Sequence, residues 1–136
     1  MVEESGYVYD PPPDIVPNSR MALELTELAR DHGLHETVHT RLMEAYWSEA
    51  ANIGDEDTLL DLVAGAGVSR DEAVAALAEG RYQDRIQQAT REAHLLGINA
   101  IPAFVLDKRM LLVGAYPHDV FERAFEQLAA AAERSA

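Results

Sequence analysis

Apolar positions fall into two regimes, a helical period from Arg20 to Leu96 and short continuous runs after residue 100. Met21, Leu25, Leu28 and Ala29 recur at helical spacing, Asn18 or Ser19 can cap the start, and Gly33 stops the run. The next helix spans His35 to Ala50 and carries Val38, Leu42, Ala45 and Tyr46, with Met43 and Trp47 beside them. That face is wide enough to predict burial against several neighbours. Asp55 caps a short helix with Leu59, Leu62 and Val63, which ends in the turn at Gly65 to Gly67. Ser69-Arg70-Asp71-Glu72 predicts a capping box, in which hydroxyl and carboxylate each satisfy a free backbone N–H. The helix it opens runs through Ala73, Val74 and Leu77 to Glu79. Gly80 separates it from another with Tyr82, Ile86, Ala89, Ala93 and Leu96, closed by Gly97.

Near residue 100 the period changes. Ala103-Phe104-Val105-Leu106 and Met110-Leu111-Leu112-Val113, joined by Asp107-Lys108-Arg109, predict a β-hairpin whose strands are apolar enough to be covered on both faces. Pro117 suits the first turn of a last helix striped by Val120, Phe121, Ala124, Phe125 and Leu128. Ahead of the helices, residues 1–17 hold four of the six prolines and predict an extended arm. The fold class is α+β and mostly helical: arm (1–17), helical region (18–98) and C-terminal ββα part (99–136), forming one structural domain overall. A hairpin and one helix cannot cover each other, so its edges need the helices or a second chain.

Composition narrows the function classes. The chain has 136 residues, 48% of them hydrophobic, which suits a globular core. A formal charge of −13 repels phosphate backbones and anionic lipid, so neither nucleic acid nor membrane is an expected partner. Without cysteine the chain has no disulfide, no thiolate nucleophile and no Cys-based metal site. Glu3 and Glu4 stand where a signal peptide needs basic residues, and no apolar run is long enough to span a bilayer, so a cytoplasmic location is expected.

The sharpest short motif is His35-Glu36-Thr37-Val38-His39, an H-E-x-x-H pattern in which His35 and His39 could ligate zinc and Glu36 act as general base. No third ligand follows at metzincin spacing. Glu56 opens another helix, and His32 adds an imidazole on nearly the same face, which favours adventitious metal capture over catalysis. No cofactor is therefore expected. His94 and His118 lack a serine elbow, Gly65-Ala66-Gly67 is too short for a phosphate loop, and Tyr46-Trp47 reads as packing. In Gly97-Ile98-Asn99-Ala100-Ile101-Pro102-Ala103-Phe104, a proline stands just before a strand. There, spacing alone favours the trans isomer, whereas a cis bond would expose backbone groups for an extended substrate.

Several segments together resemble the DsbA-like thioredoxin-fold proteins, specifically the FrnE-like branch. They are Pro17-Asn18-Ser19-Arg20-Met21-Ala22-Leu23, Leu42-Met43-Glu44-Ala45-Tyr46-Trp47, Asn52-Ile53-Gly54-Asp55, the stretch from Ala93 to Val105, and Val113-Gly114-Ala115-Tyr116-Pro117. The resemblance implies a truncated thioredoxin-like fold in which a helical insertion is followed by the closing hairpin and helix. It implies a cis Pro102, with Ala100, Ile101 and Pro102 as the substrate-docking element, and a structural role for the helix bearing HETVH. Family members begin with a strand, a C-x-x-C helix and a second strand, and this chain shows none of them.

Thiol–disulfide exchange needs an attacking and a resolving thiol, so the expectation is a thiol–disulfide oxidoreductase by family that is redox-inactive alone, with no catalytic residue of its own. The alternatives are a non-catalytic peptide-binding or assembly module and, more weakly, a zinc hydrolase at His35, Glu36 and His39. A strand normally interior to the thioredoxin sheet would be left at an edge, which predicts a homodimer through residues 103–106.

Overall fold

The computed structural model describes residues 6–12 and 16–135; the parts of the arm at 1–5 and 13–15, Pro13 included, and Ala136 lie outside the described residues. The elements are α1 (Arg20–Asp31), α2 (His35–Ser48), α3 (Glu56–Gly65), α4 (Arg70–Glu79), α5 (Gln83–Leu95), β1 (Ala103–Leu106), β2 (Met110–Val113) and α6 (His118–Ser135). The order and type of every predicted element match, and the fold is α+β and mostly helical. The chain divides into two compact units, Met1–Gln88 and Ala89–Ala136, with the division inside α5.

In the first unit α1 packs against α2, α3 and α4, and α3 packs against both α2 and α4. The stripe Ala22, Leu25, Leu28 and Ala29 is buried with Val38 and Leu42 of α2, Leu59, Leu60 and Val63 of α3, and Ala73 and Ala76 of α4. Each fully buried leucine or valine contributes about 1.5–3 kcal/mol of transfer free energy. Ser19 is the N-cap of α1 without a side-chain capping bond, and Asn18 before it accepts from the Arg20 N–H through Oδ1 at 3.0 Å. Asp55 caps α3 by accepting from the Thr58 N–H at 2.9 Å. Ser69 caps α4, accepting from the Glu72 N–H at 3.4 Å, but only this half of the predicted box matches: the Glu72 carboxylate instead meets His32 Nε2 at 3.0 Å. Gly80 ends α4 at φ 61°, a left-handed conformation that favours glycine. One polar residue is out of pattern: Glu24 on α1 is only 4% exposed, and its Oε2 has no hydrogen-bond partner among the described residues.

The start of α5 is pinned to α1 by a polar cluster. The buried Tyr82 donates its hydroxyl to Asp31 Oδ2 at 2.9 Å, and Arg85 Nη1 reaches Asp31 Oδ1 at 2.9 Å and Glu27 Oε2 at 3.1 Å. Arg85 also lies 5.0 Å over the Tyr82 ring.

In the second unit β1 and β2 pair antiparallel with Ala103 opposite Val113, Phe104 opposite Leu112, Val105 opposite Leu111 and Leu106 opposite Met110. The hairpin turns through two left-handed residues, Asp107 at φ 50° and Lys108 at φ 53°, as primed turns require. Phe121 of α6 sits edge-on to Phe104, with ring centroids 4.9 Å apart. The sheet has two strands among the described residues, and Phe104 and Val105 are 38% and 42% exposed. Among the described residues of this unit, the covering on both faces that their apolar runs predicted is only partial.

Candidate functional site

The H-E-x-x-H residues sit on the first turns of α2 but do not converge. His35 and His39, one turn apart, stack with centroids 5.9 Å apart, while His35 Nε2 is 2.8 Å from Arg30 Nη2. A guanidinium only donates, so that ring nitrogen accepts from it and its lone pair is taken. His39 lines one depression, whereas Glu36 lines another with Thr37, Arg41, Gly65 and Ala66. His32 was expected beside them, but it turns to Glu72 on α4. Among the described residues no group of three or more His, Cys, Asp or Glu could hold a metal ion.

The second predicted element lies at the mouth of β1. Ala100, Ile101 and Pro102 form a bend directly before the strand, and the Ile101–Pro102 peptide bond is cis, against the expectation from spacing alone and in line with the family resemblance. Pro102 O accepts from the Gly114 N–H at 2.8 Å, which ties the bend to the end of β2. Ile101 is 92% exposed. This places an open apolar residue at the mouth of a strand whose far edge has no strand partner among the described residues.

Sequence reasoning missed a third feature. The arm lies along α2, its Asp10 N–H donating to Trp47 O at 2.7 Å, Asp10 O accepting from the Ala50 N–H at 2.9 Å, and Val8 O accepting from the Ser48 hydroxyl at 2.6 Å. Between arm and helix is a groove of about 560 Å³ walled by Tyr7, Tyr9, Met43 and Trp47, with His39 and Glu44 contributing polar groups. Tyr9 stacks on Trp47 at 5.9 Å, and Tyr46 meets Trp47 edge-on at 4.7 Å. The reading of Tyr46-Trp47 as packing is corrected for Trp47, which is 40% exposed, as Met43 beside it is at 46%. Amphipathic period alone cannot separate a buried face from a groove wall. The available signal was Tyr7-Val8-Tyr9, two aromatics in a segment with no core of its own to fill.

Electrostatics around α2 and α3 are governed by local pairing. Arg41 donates to both Glu49 oxygens at 2.8 Å, which holds the Glu49 carboxyl below the usual carboxylate range. The Thr58 backbone N–H, then its hydroxyl, do the same for Asp55.

Comparison with known proteins accords with this geometry. The family model of the DSBA-like thioredoxin domain matches residues 1–126. An uncharacterized protein of Bacillus subtilis (strain 168), YwbO, is 32% identical over 109 residues, which is 79% of this chain and 54% of that protein. The crystal structure of a probable DsbA oxidoreductase from Streptomyces coelicolor superposes with a TM-score of 0.81 at 30% identity, covering 93% of this chain and 55% of that one. The chain thus spans about half the length of these relatives. No helix among the described residues is long and apolar enough to cross a membrane. The match over residues 1–126, together with the order of helices, hairpin and closing helix, establishes that the chain belongs to the DSBA-like thioredoxin domain family.

Proposed function

We propose that this chain, by itself, is a redox-inactive member of its thioredoxin-like oxidoreductase family, of the FrnE-like branch, acting as a binding and assembly module. The observation that carries the reading is chemical: the chain contains no cysteine, so it has no sulfur to attack a disulfide or to resolve a mixed one. What it offers is the docking half of such a site, with Ala100, Ile101 and Pro102 open at the mouth of β1 to an extended peptide backbone.

The two-stranded sheet supports a homodimer as part of this reading. Two copies of β1, antiparallel about a two-fold axis between Phe104 and Val105, would make a four-stranded sheet and cover the apolar residues now exposed. Sedimentation velocity on three proteins tests it. Wild type and Arg109→Glu, altered only in the turn, should sediment as dimers. Val105→Lys, which sets an ammonium opposite Phe104 of the second copy, should sediment as a folded monomer. Identical sedimentation of all three would refute the shared strand, and insulin reduction above the protein-free rate would refute redox inactivity.

A zinc hydrolase at His35, Glu36 and His39 is not carried forward, because Arg30 occupies the His35 nitrogen and Glu36 lines a different depression from His39.

A further inference from the structure

We propose that the groove between the arm and α2 is a binding site for a small organic cation with an apolar body, such as an aromatic or alkyl ammonium. The inference concerns the Met1–Gln88 unit and does not rest on the shared sheet. Its walls are aromatic and thioether side chains, Tyr7, Tyr9, Trp47 and Met43, around about 560 Å³, within the size range of small-molecule sites. Trp and Tyr rings carry a negative face that attracts cations, and methionine adapts to irregular apolar shapes.

Charge selects the ligand. Among the described residues no lysine or arginine lines the groove, and Glu44 is its one carboxylate. Glu44 makes no hydrogen bond or ion pair among the described residues. The neighbouring cation on its own helix, Arg41, gives both its hydrogen bonds to Glu49 at 2.8 Å and reaches Glu44 only through a weaker coulombic attraction. A carboxylate with no hydrogen-bond partner among the described residues therefore lines an apolar, aromatic groove, in a chain whose net charge is −13. An anion meets this carboxylate with repulsion, and a neutral apolar molecule leaves it unused.

The groove is also built before any ligand arrives. Asp10 exchanges backbone hydrogen bonds with Trp47 and Ala50, and the Ser48 hydroxyl holds Val8 O, so the arm's aromatics are fixed over α2. Preorganisation of this kind removes an ordering cost from binding.

Trp47 is the sole tryptophan, so its emission reports on this groove directly. The probes are benzyltrimethylammonium, benzyl alcohol and benzenesulfonate, titrated into the full chain by fluorescence and, in parallel, by calorimetry. The expected result is saturable binding of the ammonium at least about fivefold tighter than the alcohol, the effect of one unit charge at contact distance in water, and no saturation by the sulfonate. Glu44→Gln removes an exposed charge without touching the core and should erase that preference. Glu126→Gln on α6, with the same loss of net charge, should keep it. Circular dichroism confirms that both variants are folded. The proposal is overturned by equal affinity for ammonium and alcohol, by a preference that survives Glu44→Gln, or by no saturable binding in either assay. It is equally overturned if Trp47 emission changes with protein concentration alone, which would mark the groove as a contact between copies.

Discussion

Replacing Gly54 with alanine tests whether the junction between the arm and the α2–α3 loop is packed as tightly as the fold requires. A Cβ at this position would lie 3.2 Å from each of Asn18 N, Asn52 Oδ1 and Pro17 Cβ, closer than ordinary van der Waals contact. Little can give way. Asn18 N is backbone at the start of α1, and Asn52 Oδ1 is held by the Gly54 N–H itself at 3.0 Å. Overpacking of this kind costs about 1–3 kcal/mol. The reduced freedom of the unfolded chain offsets about 0.4–1 kcal/mol, because Gly54 does not need a left-handed backbone. The net expectation is a destabilisation of about 1–2 kcal/mol. Thermal melts followed by circular dichroism should then show a loss of roughly 4–8 °C for a chain of this size. Trp47 emission should shift as well, since Pro17 and Asn18 root the arm that carries Tyr9 onto Trp47. An unchanged or raised melting temperature would show that the arm is not seated on Gly54.

Other perturbations read other parts of the account. Lys108→Gly relieves a left-handed lysine in the hairpin turn and should stabilise the hairpin by about 0.5–1 kcal/mol, seen as slower amide exchange at Arg109, whose N–H bonds Leu106 O. Acid should weaken the first unit through Asp31, whose carboxyl is held below the usual range first by the Arg85 hydrogen bond and then by Tyr82. A lowered carboxyl contributes stability above its unfolded value, near about pH 4, and loses it as pH falls through the folded value, so melts from pH 6 down to 2 should show a progressive decline. Tyr82 has the opposite sign: burial and then Asp31 raise its hydroxyl, giving stability that is present below about pH 10 and lost as pH rises through the folded value. Tyr82→Phe should abolish that alkaline loss and shallow the acid decline, as measured by the same melts.

The helices were legible from their period, and at α3 and α4 local chemistry agreed with it: Asp55 and Ser69 cap them, and Gly80 stops α4. The hairpin was legible from two apolar runs too short for helices. What the pattern could not supply was destination. Met43 and Trp47 have the same spacing whether they enter a core or wall a groove, and only the hydrogen bonds of Asp10 and Val8 decide it. Glu24 carries a carboxyl group, yet α1 packs with three helices and takes it inside. Likewise, a continuous helical period through Tyr82, Ile86, Ala89 and Ala93 gives no sign that the two units divide within α5. His35 and His39 stack one turn apart on α2, but partners outside the motif, Arg30 five residues before His35 and the Glu72 that draws off His32, are invisible to it.

A native mass spectrum of the purified full chain addresses the central claim most directly, because subunit number and bound metal are read together. The account predicts a metal-free dimer that dissociates on Val105→Lys. A monomer at micromolar concentration with a folded spectrum would contradict the shared sheet, and one zinc per chain, lost on His39→Ala, would contradict the non-catalytic reading of α2.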